Sequence, residues 1–329
     1  MTATLTTPAV LAEGHRTPRQ LRWLLRLHRP AALAWTAFVL LTGAALLWLG
    51  GPLTDAAAQA WKAYNACAFG SRCSYDQDAI LTYKDTYTYT TFAVLGAPFL
   101  VAAWAGAALT GRELESGTVR LAWTQAVSPV RWLAARLAFP ALLITVSTGL
   151  LAWLHRRAWT AGDGRIDTAK PWHDVATFYA GGVVPVALAL AGLALGALAG
   201  LLLRRSLPAL AATVLGVGAL WAAVHTAMPY LWPTVTKVSG LGEGPQGDGF
   251  IAGEGVITAG GDRVAAPCTS IFNQGCKAEL TELKAVSFYR DYHPVSHTWP
   301  LNLVASGILL LLTALLVVTA LRLVRRRTA

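Results

Sequence analysis

Charged residues are scarce in this chain. Asp, Glu, Lys and Arg make up 13% of the 329 residues and hydrophobic residues 55%, whereas soluble domains carry roughly 25% charged residues. Charge is absent from six stretches that each approach the roughly 20 residues an α-helix needs to cross a bilayer. They cover residues 31–49, 90–109, 137–154, 178–203, 207–227 and 301–321. The sequence therefore predicts an all-α membrane protein with six transmembrane helices.

The motifs of common catalytic and energy-coupling machinery are also missing. No Gly-x-x-x-x-Gly-Lys-Ser/Thr phosphate loop occurs, which excludes the usual nucleotide-hydrolysing site. Ion-coupled carriers usually need an ionisable side chain at membrane depth, and the six stretches contain no Asp, Glu, Lys or Arg. Ser147 and Ser306 have no His, Lys or Asp in their own segments, which argues against an intramembrane hydrolase. We therefore expect no enzyme activity, cofactor or metal on this chain. Any transport by this chain would then take its energy from a partner subunit or would be passive.

Basic residues outnumber acidic ones by 27 to 17. A nucleic-acid-binding protein gathers them in one stripe, but here they flank the apolar stretches, so we expect a bilayer partner and no nucleic acid. Lys and Arg near helix ends stay in the cytoplasm. Fifteen of the 27 fall in residues 1–30, 110–136, 204–206 and 322–329, which predicts two cytoplasmic termini. His155, Arg156 and Arg157, on the predicted outer side, are an exception.

This topology divides the chain into four parts. Residues 1–30 form a cytoplasmic lead-in whose leucines between 21 and 27 alternate with basic residues, as in an amphipathic surface helix; a solvated segment is the alternative. Residues 31–227 hold five helices, a first outer loop at 50–89 and a cytoplasmic loop at 110–136. A large outer loop covers 228–300, and 301–329 form the sixth helix and a basic tail. The first apolar stretch exceeds the roughly 7 to 15 residues of a signal peptide, so we expect it to be retained.

All four cysteines fall in predicted outer loops, where an oxidising compartment preserves disulfides. Short spacings favour pairing Cys67 with Cys73 and Cys268 with Cys276. A zinc site is the alternative, but the usual close ligand spacing is missing.

The large outer loop carries local patterns of its own. Residues 256–264 predict a hairpin around Gly260-Gly261-Asp262, and residues 277–289 show a helical pattern. A small folded outer cap is expected, with a disordered loop as the alternative.

Gly192, Gly196 and Gly200 recur every four residues in the fourth stretch. Such spacing lets a second helix approach closely, so it predicts tight packing in the bundle, or alternatively a dimer contact.

The cytoplasmic segment 111–132 is the most specific part of the sequence. Gly117 can end a helix that emerges from the membrane, Thr118 can cap a short new helix, and Ser128-Pro129 can start the third span. A surface loop with ordinary caps is the alternative.

This segment, RELESGT followed by RLAWTQAVSPVRWLA, resembles the cytoplasmic loop of type-two ATP-binding-cassette exporter permeases of the bacterial six-helix kind. Residues 181–211, with their double arginine, resemble the fourth and fifth helices of that family, and YHPVSHTWPLNL resembles the lead into its last helix. Relatives often carry an acidic residue early in the last helix, where this chain has Val304, Ala305 and Ser306.

The resemblance implies a permease subunit in the bacterial inner membrane, paired with a second identical or different copy. Two cytosolic ATP-binding subunits would supply ATP and Mg²⁺ chemistry. The residues expected to couple this chain to the ATPase are Arg112, Glu113, Glu115, Gly117, Thr118, Arg120, Leu121, Trp123 and Gln125. Among them Leu121 and Trp123 would anchor the coupling helix.

The uncharged bundle suits a hydrophobic or amphipathic substrate. The alternative function is a membrane-anchored sensor or assembly factor, in which the outer cap binds a ligand and the inner loops recruit a protein without transport.

Overall fold

The computed structural model describes residues 29–67, 74–117, 128–167, 169–269 and 274–328. Within these ranges the helices are α1 (Arg29–Trp48), α2 (Thr54–Asn65), α3 (Gln77–Trp104), α4 (Gly111–Glu115), α5 (Pro129–Gly162), α6 (Val175–Ala180), α7 (Val184–Leu203), α8 (Ser206–Ala227), α9 (Gln274–Glu282) and α10 (Thr298–Thr328). Six helical segments, built on α1, α3, α5, α7, α8 and α10, are long and apolar enough to cross a membrane. The predicted six spans are confirmed.

Helix α7 forms the centre of the bundle and contacts α3, α5, α8 and α10. It is apolar all round, as expected of a helix surrounded by other helices. A Cβ atom on Gly196 would lie 2.5 Å from Ala105 Cβ, and one on Gly200 would lie 2.1 Å from Thr110 Oγ1. The glycine stripe therefore packs against the second span of the same chain.

Helical structure extends far beyond the apolar stretches. A π-helical turn at Leu49–Leu53, which contains Pro52, joins α1 to α2. Helix α3 begins at Gln77 because Asp76 caps it, accepting a hydrogen bond from the Ala79 amide at 3.0 Å. Most described residues of the predicted loop at 50–89 are thus helical, since the apolar stretches mark only the membrane-crossing part of each helix.

The fourth span is interrupted near its start. Helix α6 is capped by Asp174, whose Oδ1 accepts a hydrogen bond from the Thr177 amide at 3.1 Å. The chain bends at 181–183 before α7 begins, whereas the sequence predicts one helix over 178–203. Gly181 and Gly182 lower helix propensity here, and Pro185 favours a new first turn.

A four-stranded antiparallel sheet follows the fifth span, so the all-α prediction is wrong for this region. Its strands are β1 (Val235–Gly240), β2 (Phe250–Thr258), β3 (Arg263–Val264) and β4 (Ala285–His293), arranged in the order β1-β4-β2-β3. We call residues 235–293 the sheet module. The β2–β3 pair confirms the predicted hairpin.

The core of the sheet module explains the incorrect helical prediction. Val256, Leu280 and Phe288 are buried together beside the predicted Cys268–Cys276 disulfide, which is present. The helical pattern persists only through Glu282, because Lys284 adopts a φ of 52° and the chain then enters β4. Pairing of β4 with both β1 and β2 overrides the local pattern. The predicted partner of Cys67, Cys73, lies outside the described residues.

The two ends of the bundle differ. Leu109, Trp132, Leu201 and Val324 pack together at one end, near Arg131, Arg136, Arg204, Arg205 and Arg325; we call this the arginine-rich end. Trp172, Met228 and Leu301 pack with Phe250 of the sheet module at the other end. The arginine-rich segments and the large loop at 228–300, which the sequence predicts on different sides of the membrane, are therefore at opposite ends of the helices.

Candidate functional site

The short helix α4 lies at the arginine-rich end, between the second and third spans. It follows a π-helical turn at Ala105–Leu109 and Thr110, whose Oγ1 donates a hydrogen bond to Ala197 O of α7 at 3.1 Å. Leu114 packs on the core of this end. Gly117, just past the helix, has a φ of 72°, which glycine adopts without strain. The helix therefore ends where the sequence places its break.

Glu113 joins α4 to the third span. Its Oε1 lies 2.5 Å from the Arg136 guanidinium, and the two side chains are 16% and 3% exposed. Arg136 also donates a hydrogen bond to Leu109 O at 3.0 Å and stacks 4.6 Å from the Trp132 ring centroid. The sequence predicts Glu113 as an ATPase contact, and within the described chain its carboxylate is bound to Arg136 of the third span.

Glu115 joins α4 to the fifth span. Its Oε2 accepts hydrogen bonds from the Ser206 amide at 3.0 Å and from Ser206 Oγ at 2.6 Å. A carboxylate here satisfies an amide of the first turn of α8 and complements the helix dipole. Arg204 takes a left-handed conformation with a φ of 53°, which turns the chain from α7 toward α8. The double-arginine turn and α4 thus meet at Ser206.

The remaining predicted coupling residues are distributed as follows. Arg112 is exposed on α4. Thr118, Arg120, Leu121, Trp123 and Gln125 lie outside the described residues. Arg136 and Ser206, which hold the two carboxylates, are not among the predicted site residues. The sequence signal that could have identified Arg136 is its position as the single charged residue in the otherwise apolar stretch 132–140.

A cavity of about 310 Å³ opens beside this site, between α1, α3 and α5. Trp35, Phe38, Trp104 and Leu143 contribute apolar walls, and Arg136 lies at its edge. The Trp35 indole donates a hydrogen bond to Ser147 Oγ at 3.0 Å. The space suits an apolar group.

The basic cluster at the far end of α5 is also accounted for. His155 is buried, with Nε2 2.8 Å from Thr91 Oγ1. Arg156 stacks 4.7 Å from the Trp299 ring centroid, and Arg157 stacks 5.3 Å from that of Trp153. Tryptophan faces at a membrane boundary stabilise such cations. In the described ranges, no group of three or more His, Cys, Asp or Glu could hold a metal ion.

Comparison with known protein families gives a match. The family model described as ABC-2 membrane transporter related matches residues 19–229. The match includes the first five spans and α4 and stops before the sheet module. Comparison with curated proteins and with solved structures gives no match.

Proposed function

The chain belongs to the ABC-2 membrane transporter related family, and from this premise we propose that it is the permease subunit of an ATP-driven exporter for a hydrophobic or amphipathic molecule. Membership supports a multi-pass membrane permease subunit, and the proposal places ATP hydrolysis on a separate partner subunit. The proposal adds the export direction, a second permease copy, a bacterial inner membrane and cytoplasmic termini.

The attachment of α4 to two spans carries the proposal. Glu113 is bound to Arg136 of α5, and Glu115 is bound to the first turn of α8. A subunit that pushes on α4 would therefore displace the third and fifth spans together. Packed and hydrogen-bonded connections of this kind can carry coupling between sites.

Charge and redox chemistry support the proposed orientation. Arginines cluster at the end that holds α4, and basic residues near helix ends favour the cytoplasm. The Cys268–Cys276 disulfide lies at the opposite end, which suits an oxidising compartment. An ATPase in the cytosol would then meet α4.

The apolar cavity supports the proposed class of substrate. It lies between three spans, and its walls are almost wholly apolar. A charged substrate would lose most of its hydration among these walls, which is costly.

The folded sheet module gives the sensor alternative some support, because a disulfide-linked module can present a ligand-binding surface. The two functions differ in their partner. An exporter needs an ATPase bound at α4, and a sensor does not.

The deciding experiment is isolation of the complex from native membranes, followed by ATPase measurement. We expect an ATP-binding subunit to copurify, and Arg112→Glu to weaken its capture, since Arg112 is exposed and its reversal leaves the Glu113 and Glu115 contacts intact. Glu115→Ala should keep the ATPase bound but reduce substrate-stimulated turnover, because α4 loses its bonds to Ser206.

Glu243→Lys, an exposed reversal in the sheet module, is the matched control and should change neither quantity. Unchanged capture and turnover in both α4 variants would contradict the exporter proposal.

A further inference from the structure

A small cavity of about 70 Å³ lies at the sheet-module end, where the fourth span is interrupted. Its walls include His155 and Arg156 of α5, Gly181 of the bend, and Trp299 and Asn302 of α10, together with residues of α6. It is separate from the apolar cavity and from α4.

His155 offers the cavity an unused hydrogen-bond acceptor. The Thr91 hydroxyl donates its proton to Tyr87 O at 2.7 Å, so it accepts from Nε2–H of His155. Nδ1 then carries the lone pair. This atom is buried without a hydrogen-bond partner in the described structure, and it lies 3.7 Å from the position of a Cβ on Gly181.

Asn302 of α10 offers a second acceptor. Its Nδ2 donates to Thr298 O at 3.2 Å, which assigns Oδ1 as the acceptor. Asn302 is 2% exposed, and its Oδ1 has no hydrogen-bond partner among the described residues. This oxygen lies directly against Gly182, where a Cβ would be 1.7 Å away. Two unsatisfied buried acceptors at one bend call for a ligand that donates hydrogen bonds.

Arg156 supplies a charge at the mouth of the cavity. Its guanidinium rests on the face of Trp299, which is 46% exposed on the bundle surface. Within the part of the chain that the structure describes, no carboxylate forms an ion pair with Arg156. An arginine on a tryptophan at a membrane boundary is placed at the depth of lipid headgroups.

We propose that this cavity binds an anionic phospholipid whose headgroup carries a hydroxyl, as phosphatidylglycerol does. The phosphate lies against the Arg156 guanidinium, and the hydroxyl enters the cavity and donates to His155 Nδ1 or Asn302 Oδ1. A cavity of about 70 Å³ accommodates the hydroxyl-bearing end of such a headgroup. The inference does not depend on transport.

The test compares three lipids on the intact protein in detergent, with retention measured by native mass spectrometry. The probes are phosphatidylglycerol, phosphatidylmethanol, which has the charge but no free hydroxyl, and phosphatidylcholine, which has neither feature. We expect phosphatidylglycerol to bind about fivefold more tightly than phosphatidylmethanol, because one further hydrogen bond forms. Phosphatidylcholine should bind most weakly.

Substitutions separate the charge from the hydroxyl. Arg156→Gln should reduce retention of both anionic lipids to the level of phosphatidylcholine, whereas Arg157→Gln, at the next position of α5 and stacked on Trp153, should not. The double substitution His155→Phe/Asn302→Leu removes both acceptors and should abolish the preference for phosphatidylglycerol over phosphatidylmethanol, while leaving the charge preference intact.

Equal retention of the three lipids by the wild-type protein would overturn the proposal without any variant. So would an equal effect of Arg156→Gln and Arg157→Gln. Displacement of phosphatidylglycerol by millimolar glycerol 3-phosphate would assign the site to a soluble ligand and would overturn the lipid assignment.

Discussion

At the residue scale, the two carboxylates of α4 have different surroundings. Glu113 faces inward to a buried arginine, while Glu115 lies exposed at the start of α8. Reversing both charges at once would therefore disturb the fold as well as any interface. The structural and coupling roles must be tested with separate substitutions.

The Glu113–Arg136 pair is expected to be structural. Glu113→Leu leaves Arg136 buried without its carboxylate and should lower the free energy of unfolding by about 3–5 kcal/mol. The double variant Glu113→Leu/Arg136→Met should recover most of that loss, because neither buried charge remains. Denaturant unfolding in micelles measures both values. Additive losses in the double variant would show that the two residues are not coupled.

Substitutions at Gly117 test whether the backbone conformation at this residue matters independently of side-chain contacts. Among the described residues, no atom lies within 4 Å of a Cβ there, and the φ of 72° disfavours β-branched residues. Gly117→Val should strain the chain by about 1–2 kcal/mol and reduce coupled ATPase turnover. Gly117→Asn should stay near wild type because Asn tolerates this conformation. If the two variants behave alike, the left-handed turn is not required.

At the element scale, α7 determines how the spans pack. Its glycines face the second span, and its start is separated from α6 by a two-glycine bend. One helix thus contacts α4 at one end and begins directly after the bend at the other.

Gly196→Ala should disrupt this packing. The added methyl group would lie 2.5 Å from Ala105 Cβ, so the helices must separate, at a cost of about 1–3 kcal/mol. Gly307→Ala on α10 is the matched control, since no atom in the described part of the chain lies within 4 Å of a Cβ there. Thermal unfolding of the purified protein should show a lower midpoint for Gly196→Ala only. A similar midpoint for both variants would mean that the stripe is not tightly packed.

At the scale of the whole molecule, the arginine-rich end and the sheet module are opposite one another. Reporter fusions after Arg205 and after Arg327 should therefore be active only as cytoplasmic reporters. A fusion near Gly247, in the sheet module, should be active only outside the cytoplasm. The physical reason is that basic residues near helix ends resist translocation. A cytoplasmic signal at Gly247 would contradict the proposed orientation.

The sequence by itself determined the six spans, because lipid requires long uncharged helices and little else produces such stretches. It also determined the Cys268–Cys276 disulfide and the β2–β3 hairpin, since short spacing and turn residues act locally. The family followed from the motifs around Glu113 and the double arginine.

Only the tertiary structure decided the partners of each polar group. Glu113 pairs with Arg136 and Glu115 with Ser206 across 23 and 91 positions of sequence, which no local pattern reveals. Strand β4 forms because β1 and β2 flank it, although its sequence continues a helical pattern. His155 of α5 and Asn302 of α10 belong to different spans, yet both lie against the bend at 181–183. Apolar periodicity is read along the chain, whereas hydrogen-bond partners depend on which helices the fold brings together.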